Sequence, residues 1–145
     1  MTGLPYKFAG FWIRAAAALV DSVALGIPSA LVGIILYFLM SAFGMEEAAV
    51  EMVGQIATTL IAIGYYVGFH SSKYQATLGK LVLGIHLMRR DGGAITPKLA
   101  LWRYIALILS AIPLGLGFLM AGWTREKTAL HDLVCSTRVV YGRAS

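Results

Sequence analysis

The chain has 145 residues, 59% hydrophobic and only 13% charged, with a mean hydropathy of +0.76. That excludes an ordinary water-soluble domain, where about a quarter of residues are charged, and also intrinsic disorder. The net charge of +5 comes from twelve Lys and Arg against seven Asp and Glu; these residues cluster beside apolar runs, which points to cytoplasmic loops and anionic lipid headgroups rather than nucleic acid.

The length predicts one domain, residues 1–145, built from a few membrane segments of about 20 residues each. The first apolar run covers 11–43, and Arg14 and Asp21 are its only charges. Phe8, Phe11 and Trp12 suit the headgroup level. The run is too long for a secretory signal and carries an acid inside it. Pro28 leaves a carbonyl one turn earlier without its partner, so a kink is predicted there.

An acidic connection with Glu46, Glu47 and Glu51 follows, then a second run over 52–69. Gly64 and Gly68, with Ala57 and Ile61, form a small-residue stripe that predicts close helix packing inside the bundle, ahead of homodimerisation. The stretch 70–98 is basic, with Lys73, Lys80, Arg89, Arg90 and Lys98 against Asp91. Within it Leu78–Gly84 reads as a short interfacial helix. Ile85 and Leu87, the turn Arg90-Asp91-Gly92-Gly93, and Ile95 read as a small hairpin. A third run over 99–123 is interrupted by Arg103 and carries Pro113-Leu114-Gly115-Leu116-Gly117 in its middle. No repeat of 20–50 residues is visible.

The positive-inside bias puts the acidic connection outside, and the N-terminus and the 70–98 segment inside. A single span over 99–123 would carry the basic tail, with Arg125, Lys127, Arg138 and Arg143, outside. A re-entrant hairpin turning at the Pro-Leu-Gly-Leu-Gly sequence would return it to the cytoplasm, and this is the favoured reading. Trp102, Tyr104 and Trp123, spaced like two aromatic belts, keep the single span open. The predicted fold is therefore an all-α membrane bundle: two spanning helices, a broken third segment, and a cytoplasmic helix and hairpin. Both termini face the cytoplasm across the inner membrane.

Arg14 and Asp21 lie on nearly one helix face, about 10 Å apart along the axis. A mid-membrane charge costs about 2.5–3.5 kcal/mol on insertion scales, so Asp21 needs a role. Three readings stay open: a packing ion pair with Arg14 or another cation, a proton- or ion-binding carboxylate on a transport path, or a contact to another subunit. Ser22, Gln55, Thr58 and Thr59 are possible oxygen ligands for a hard cation such as sodium, or plain interhelical hydrogen-bonding groups. The lone Cys135 excludes an internal disulfide and a cysteine zinc site. His70, His86 and His131 lack metal-ligand spacing. Leu78-Gly79-Lys80 is no phosphate-binding loop, because Leu81 replaces the Ser or Thr and position 74 is Tyr. No nucleophile–base pair is visible, so neither an enzyme nor a cofactor is expected.

Three blocks in order, GFWIRAAAALVDSVAL, QATLGKLVLGIHLMRRDGG and REKTALHDLVCSTRVV, resemble the RDD family of bacterial membrane proteins over nearly the whole chain. The resemblance implies that Arg14, Asp21 and Asp132 are the arginine and two aspartates of the family name. It also implies that Thr77, Gly79, Lys80 and Gly84 form its Thr-x-Gly-Lys-x-x-x-Gly stretch, with His131 beside the last aspartate. Cys135-Ser136-Thr137 departs from the family's usual Ala-Gly-Thr. For function, the resemblance implies either a sodium/proton antiporter or a membrane scaffold or accessory subunit beside a larger partner. For the first, the residues point to Asp21 as the exchanging carboxylate, and so small a bundle to a homo-oligomer whose subunits share a path. In the second case the charged trio is a structural staple. With Arg14 at the cytoplasmic start of the first helix, Asp132 reaches it only from that side, which again favours the hairpin; Asp132 is then expected to hold Arg14 while Asp21 sits deeper.

Overall fold

The computed structural model describes residues 6–111, 116–125 and 127–144. The chain is mostly helical, and α1 (Phe11–Ala42) and α2 (Glu47–Ser71) are each long and apolar enough to cross a membrane. α1 has 32 residues and continues through Pro28 as helix. It ends where Gly44 takes a φ of +71°. The Gly44 N–H then donates to Ser41 O at 3.0 Å and the Met45 N–H to Met40 O at 3.2 Å, satisfying carbonyls that the last turn leaves open. α2 begins at Glu47, earlier than the apolar run, because an acid in the first turn complements the helix dipole. Leu19, Ile27, Phe38 and Leu60 are all more than half exposed, a burden in water that hydrocarbon removes.

After α2 come the short α3 (Leu78–Val82) and β1 (Ile85–Arg89), then α4 (Pro97–Ala111), α5 (Leu116–Trp123), α6 (Leu130–Val134) and β2 (Thr137–Tyr141). The packed core lies at the end where α1 begins, around Ala9, Ala17, Ile85, Leu87, Ile95, Ala100 and Val139.

The expected local hairpin is corrected. β1 pairs antiparallel with β2 at the far end of the chain, with Leu87 opposite Val139. The turn does form, with the Gly92 N–H donating to Arg89 O at 3.0 Å. The chain beyond it does not become a strand. The Ile95 N–H is taken by Gln75 Oε1 at 2.9 Å, and Pro97 starts a helix two residues later. β2 supplies Thr137, Val139 and Val140, whose branched side chains suit a pleated, covered surface. Its other edge is occupied by Lys7–Ala9: the Ala9 N–H donates to Val139 O and the Tyr141 N–H to Lys7 O, both at 2.9 Å.

The small-residue stripe is also corrected. A side chain added at Gly54, Gly64 or Gly68 would meet nothing within 4 Å, so these glycines do not mediate packing among the described residues. α2 packs on α1 and α4.

The third apolar run is two helices, α4 and α5; the expected break at Pro113-Leu114-Gly115 lies outside the described residues. α5 ends beside the start of α1, where an added Gly122 Cβ would lie 4.0 Å from Phe11 Cβ.

A repeat absent from the sequence reading emerges here. Gln75 (φ 47°) and Lys127 (φ 50°) occupy equivalent positions, 52 residues apart (127 against 75). Each N–H donates to the carbonyl three residues back, Ser72 O and Thr124 O, at 3.0 Å. Each is followed by a five-residue helix, a second positive φ at Gly84 (65°) or Ser136 (50°), and a five-residue strand. Leu87 and Val139, equivalent at the same offset, face each other across the strand pair, which makes the pairing two-fold symmetric. The chain is thus two copies of helix–helix–short helix–strand. The second has helices of 15 and 8 residues where the first has 32 and 25.

Candidate functional site

The charged residues of the apolar segments, Arg14, Asp21 and Arg103, converge where α1, α3, α4 and α6 meet. Asp132, in the first turn of α6, is fully buried. One carboxylate oxygen is paired with Arg14 of α1 and the other with Arg103 of α4. The Ala129 N–H, ahead of the helix, donates to the same carboxylate at 3.2 Å, which ties the start of α6 to its own acid. Arg14 further donates from Nε to Ala9 O at 2.9 Å and from a terminal nitrogen to Lys127 O at 2.8 Å. Arg103, 3% exposed, donates from Nε to Thr137 Oγ1 at 3.1 Å.

Asp21 is built into a different joint. It is 2% exposed and accepts from Tyr65 Oη at 2.7 Å, from Thr77 Oγ1 at 2.6 Å and from the Gly79 N–H at 2.7 Å. Tyr65 Oη in turn accepts from the Leu78 N–H at 3.1 Å. The first N–H groups of α3, which no helical carbonyl can satisfy, are therefore met by an acid and a tyrosine from the two long helices. This explains the Thr-x-Gly spacing physically. Thr77 supplies a hydroxyl and Gly79 an amide to one carboxylate. A Cβ at residue 79 would lie 2.0 Å from Ala17 O and 2.9 Å from Asp21 Cγ, so only glycine fits.

Lys80, next in the stretch, sends Nζ to His70 Nε2 at 2.8 Å, at the last turn of α2. Burial, then the nearby Arg103, brings the Lys80 ammonium down to about 7. Burial and the same arginine push the His131 imidazole down to about 3, so it is neutral near pH 7. Burial alone would push Asp132 up, but Arg103, Arg14 and His131 hold it well below the usual carboxylate range. His131 Nε2 lies 3.5 Å from Asp132 Oδ1.

The site thus gathers Arg14, Asp132, His131, Asp21, Thr77, Gly79 and Lys80. Arg14 and Asp21 share a helix face without pairing: the arginine goes to α6 and the aspartate to α3. Ser22, Thr58 and Thr59 turn away from the cluster. Ser22 Oγ donates to Ala18 O at 2.8 Å, and Thr58 and Thr59 donate to Gln55 O at 3.0 and 2.7 Å, all within their own helices. Gln55, Ser22 and Thr59 are exposed, and no ring of oxygen ligands forms around Asp21 from them. Gly84 serves the backbone, at φ 65°. Among the described residues, no three of His, Cys, Asp and Glu are grouped to hold a metal ion. The sequence reading missed Arg103, Tyr65 and His70 as partners. Arg103 carried a signal, as the one charge in a long apolar run. Tyr65 and His70 carried none.

The chain matches the family model described as RDD family over residues 8–136, and it belongs to that family. It is 35% identical to the uncharacterized protein YxaI of Bacillus subtilis (strain 168), an alignment covering 93% of this chain and 98% of the relative. It is 27% identical to the uncharacterized protein YckC of the same organism, over 94% of this chain and 86% of the relative. No solved structure matches.

Proposed function

We propose that this membrane protein is a non-catalytic scaffold or accessory subunit of the bacterial inner membrane, with the charge cluster as its internal staple. The observation that carries this reading is how the two deep carboxylates are used. Asp132 is spent on Arg14, Arg103 and the Ala129 N–H. Asp21 is spent on Tyr65, Thr77 and Gly79. A carboxylate has about four acceptor positions, and Asp21 has three filled by donors of its own chain. A transporting carboxylate must exchange partners in every cycle. Here, release of Asp21 would undo the joint of α3 with α1 and leave the Tyr65 hydroxyl without its acceptor.

In this reading both termini and the basic 70–98 segment face the cytoplasm. The contact of Arg14 with Asp132 and Lys127 O supports it, since it ties the tail to the start of α1. α4 and α5, at about 22 and 12 Å, are too short for a core of about 30 Å and form a re-entrant pair. α3 lies at the interface with Val82 exposed, and the 70–98 segment is the face offered to a larger partner.

A second reading, cation/proton antiport, is favoured by one feature: Asp21 and Lys80 line the same cavity. Liposome flux decides between them. The scaffold reading expects no sodium-dependent proton flux from the wild type and a loss of thermal stability in Asp21→Asn. Wild-type flux that vanishes in a folded Asp21→Asn protein would overturn it in favour of antiport.

A further inference from the structure

The two copies of the repeat leave a gap between their first helices. α1 packs on α2, α3 and α5, and α4 packs on α2, α5 and α6. Between α1 and α4 lies a cavity of about 180 Å³, and its lining is mostly apolar, including Ala15, Ala18 and Leu107. The charged side chains that reach it are Arg14, Arg103, Lys80 and Asp21.

Charge in this cavity does not balance. Arg14 and Arg103 share one carboxylate, Asp132. Asp21 is occupied by neutral donors. The hydrogen-bond partner of Lys80 is an imidazole, and among the described residues it has no ion pair. With Lys80 protonated, three cations therefore stand against two carboxylates. A surplus charge in an apolar surrounding is costly unless a counter-charge arrives. A cation entering here would add to the surplus, and an anion would cancel it. Arg103 spends Nε on Thr137 and one terminal nitrogen on Asp132; among the described residues its other terminal nitrogen has no hydrogen bond. The cluster also lies level with the first turns of α1, where Trp12, 82% exposed, suits the headgroup layer.

We propose that the gap between α1 and α4 binds one membrane phospholipid of net negative charge, its phosphate held by Lys80 and Arg103 and an acyl chain laid along Ala15, Ala18 and Leu107. A zwitterionic lipid carries the same phosphate but brings a compensating cation into an already positive site, so selectivity follows from net charge. Lys80 then keeps its proton with an anion beside it. The other groups around it are His70 from α2, Arg103 from α4, Asp21 and Arg14 from α1, and His131 and Asp132 from α6. The site does not depend on whether the chain moves ions.

The test is native mass spectrometry and thermal shift of the full chain in detergent. The probes are phosphatidylglycerol, phosphatidylcholine, a diacylglycerol with the same tails, and inorganic phosphate. One phosphatidylglycerol should be retained per chain and should raise the melting temperature; the other three probes should not. Lys80→Gln should weaken retention at least about tenfold, the scale expected for losing one desolvated charge partner. Ala18→Phe, at an exposed position of the gap wall, should block retention while leaving the lipid-free melting temperature unchanged. Equal retention of phosphatidylcholine, full stabilisation by inorganic phosphate alone, or undiminished phosphatidylglycerol binding in a folded Ala18→Phe protein would each overturn the proposal.

Discussion

Replacing Gly79 with alanine tests the joint on which α3 depends. The new methyl would sit 2.0 Å from Ala17 O and 2.9 Å from both Ala17 C and Asp21 Cγ. The first two are backbone atoms of α1 and cannot rotate aside, so α3 must retreat by more than an ångström. That movement opens the Gly79 N–H bond to Asp21, now 2.7 Å, and the Thr77 hydroxyl bond, now 2.6 Å. Overpacking costs about 1–3 kcal/mol. A hydrogen bond to a charged group contributes about 1.5–3 kcal/mol. Partial loss of both bonds with partial relaxation gives a total of about 3–5 kcal/mol. The control is Gly64→Ala, where an added methyl meets nothing within 4 Å inside a helix. That change should be neutral or stabilising by up to about 1 kcal/mol. Thermal unfolding in detergent, read by fluorescence-detected size exclusion, compares the two. A Gly79→Ala protein as stable as Gly64→Ala would refute the claim that α3 is seated on α1 through a position only glycine can occupy.

Asp132→Asn should destabilise by about 3–5 kcal/mol, because it leaves two guanidinium groups without their carboxylate; adding Arg103→Met to it should recover part of the loss, read by the same melts. In acid, stability should fall as pH drops below about 6.5, because the unfolded chain takes up a proton on His131 that the folded chain refuses until about 3. The slope is at most about 1.4 kcal/mol per pH unit. The Asp132 contribution, complete above the ordinary aspartate range, is lost as pH falls through its depressed value. Lys80 acts with the same sign at higher pH: from about 7 upward the unfolded chain holds a proton the folded chain lacks, so lipid-free stability should rise with pH, and Lys80→Gln should flatten that rise. After Cys135→Ser, a membrane-impermeant maleimide applied to intact cells should label Met45→Cys and leave Arg143→Cys unlabelled; labelling at 143 would overturn cytoplasmic termini.

Composition and the three apolar runs made the long helices legible, because a membrane imposes a length and a hydropathy that a sequence cannot hide. The charged trio was legible for the same reason: a charge in hydrocarbon is expensive and stands out. The pairing of Arg14 with Asp132 was legible too, because a tail returned to the inner face can reach the start of α1. The partners of Asp21 were not: it shares a helix face with Arg14, yet it is bound by Tyr65 of α2 and by Thr77 and Gly79 at the start of α3, and periodicity along one helix cannot report that. The strand partner was missed because a turn with Gly92 and Gly93 argues for a local hairpin, whereas β2 is joined to β1 through the symmetry of the two copies. That symmetry was hidden because it lives in backbone signals, the positive φ values at 75, 84, 127 and 136, with few shared side chains. Where the copies differ, the site arises. Gly79 and Lys80 in α3 correspond to His131 and Asp132 in α6, so one short helix brings an amide and a cation and the other brings a carboxylate. The carboxylate of the second copy then binds an arginine from each, Arg14 and Arg103. An exact duplicate, with two lysines or two aspartates at these positions, would have placed like charges together. The divergence of two residues is what lets the halves join, and it is also what leaves Lys80 as the cation over.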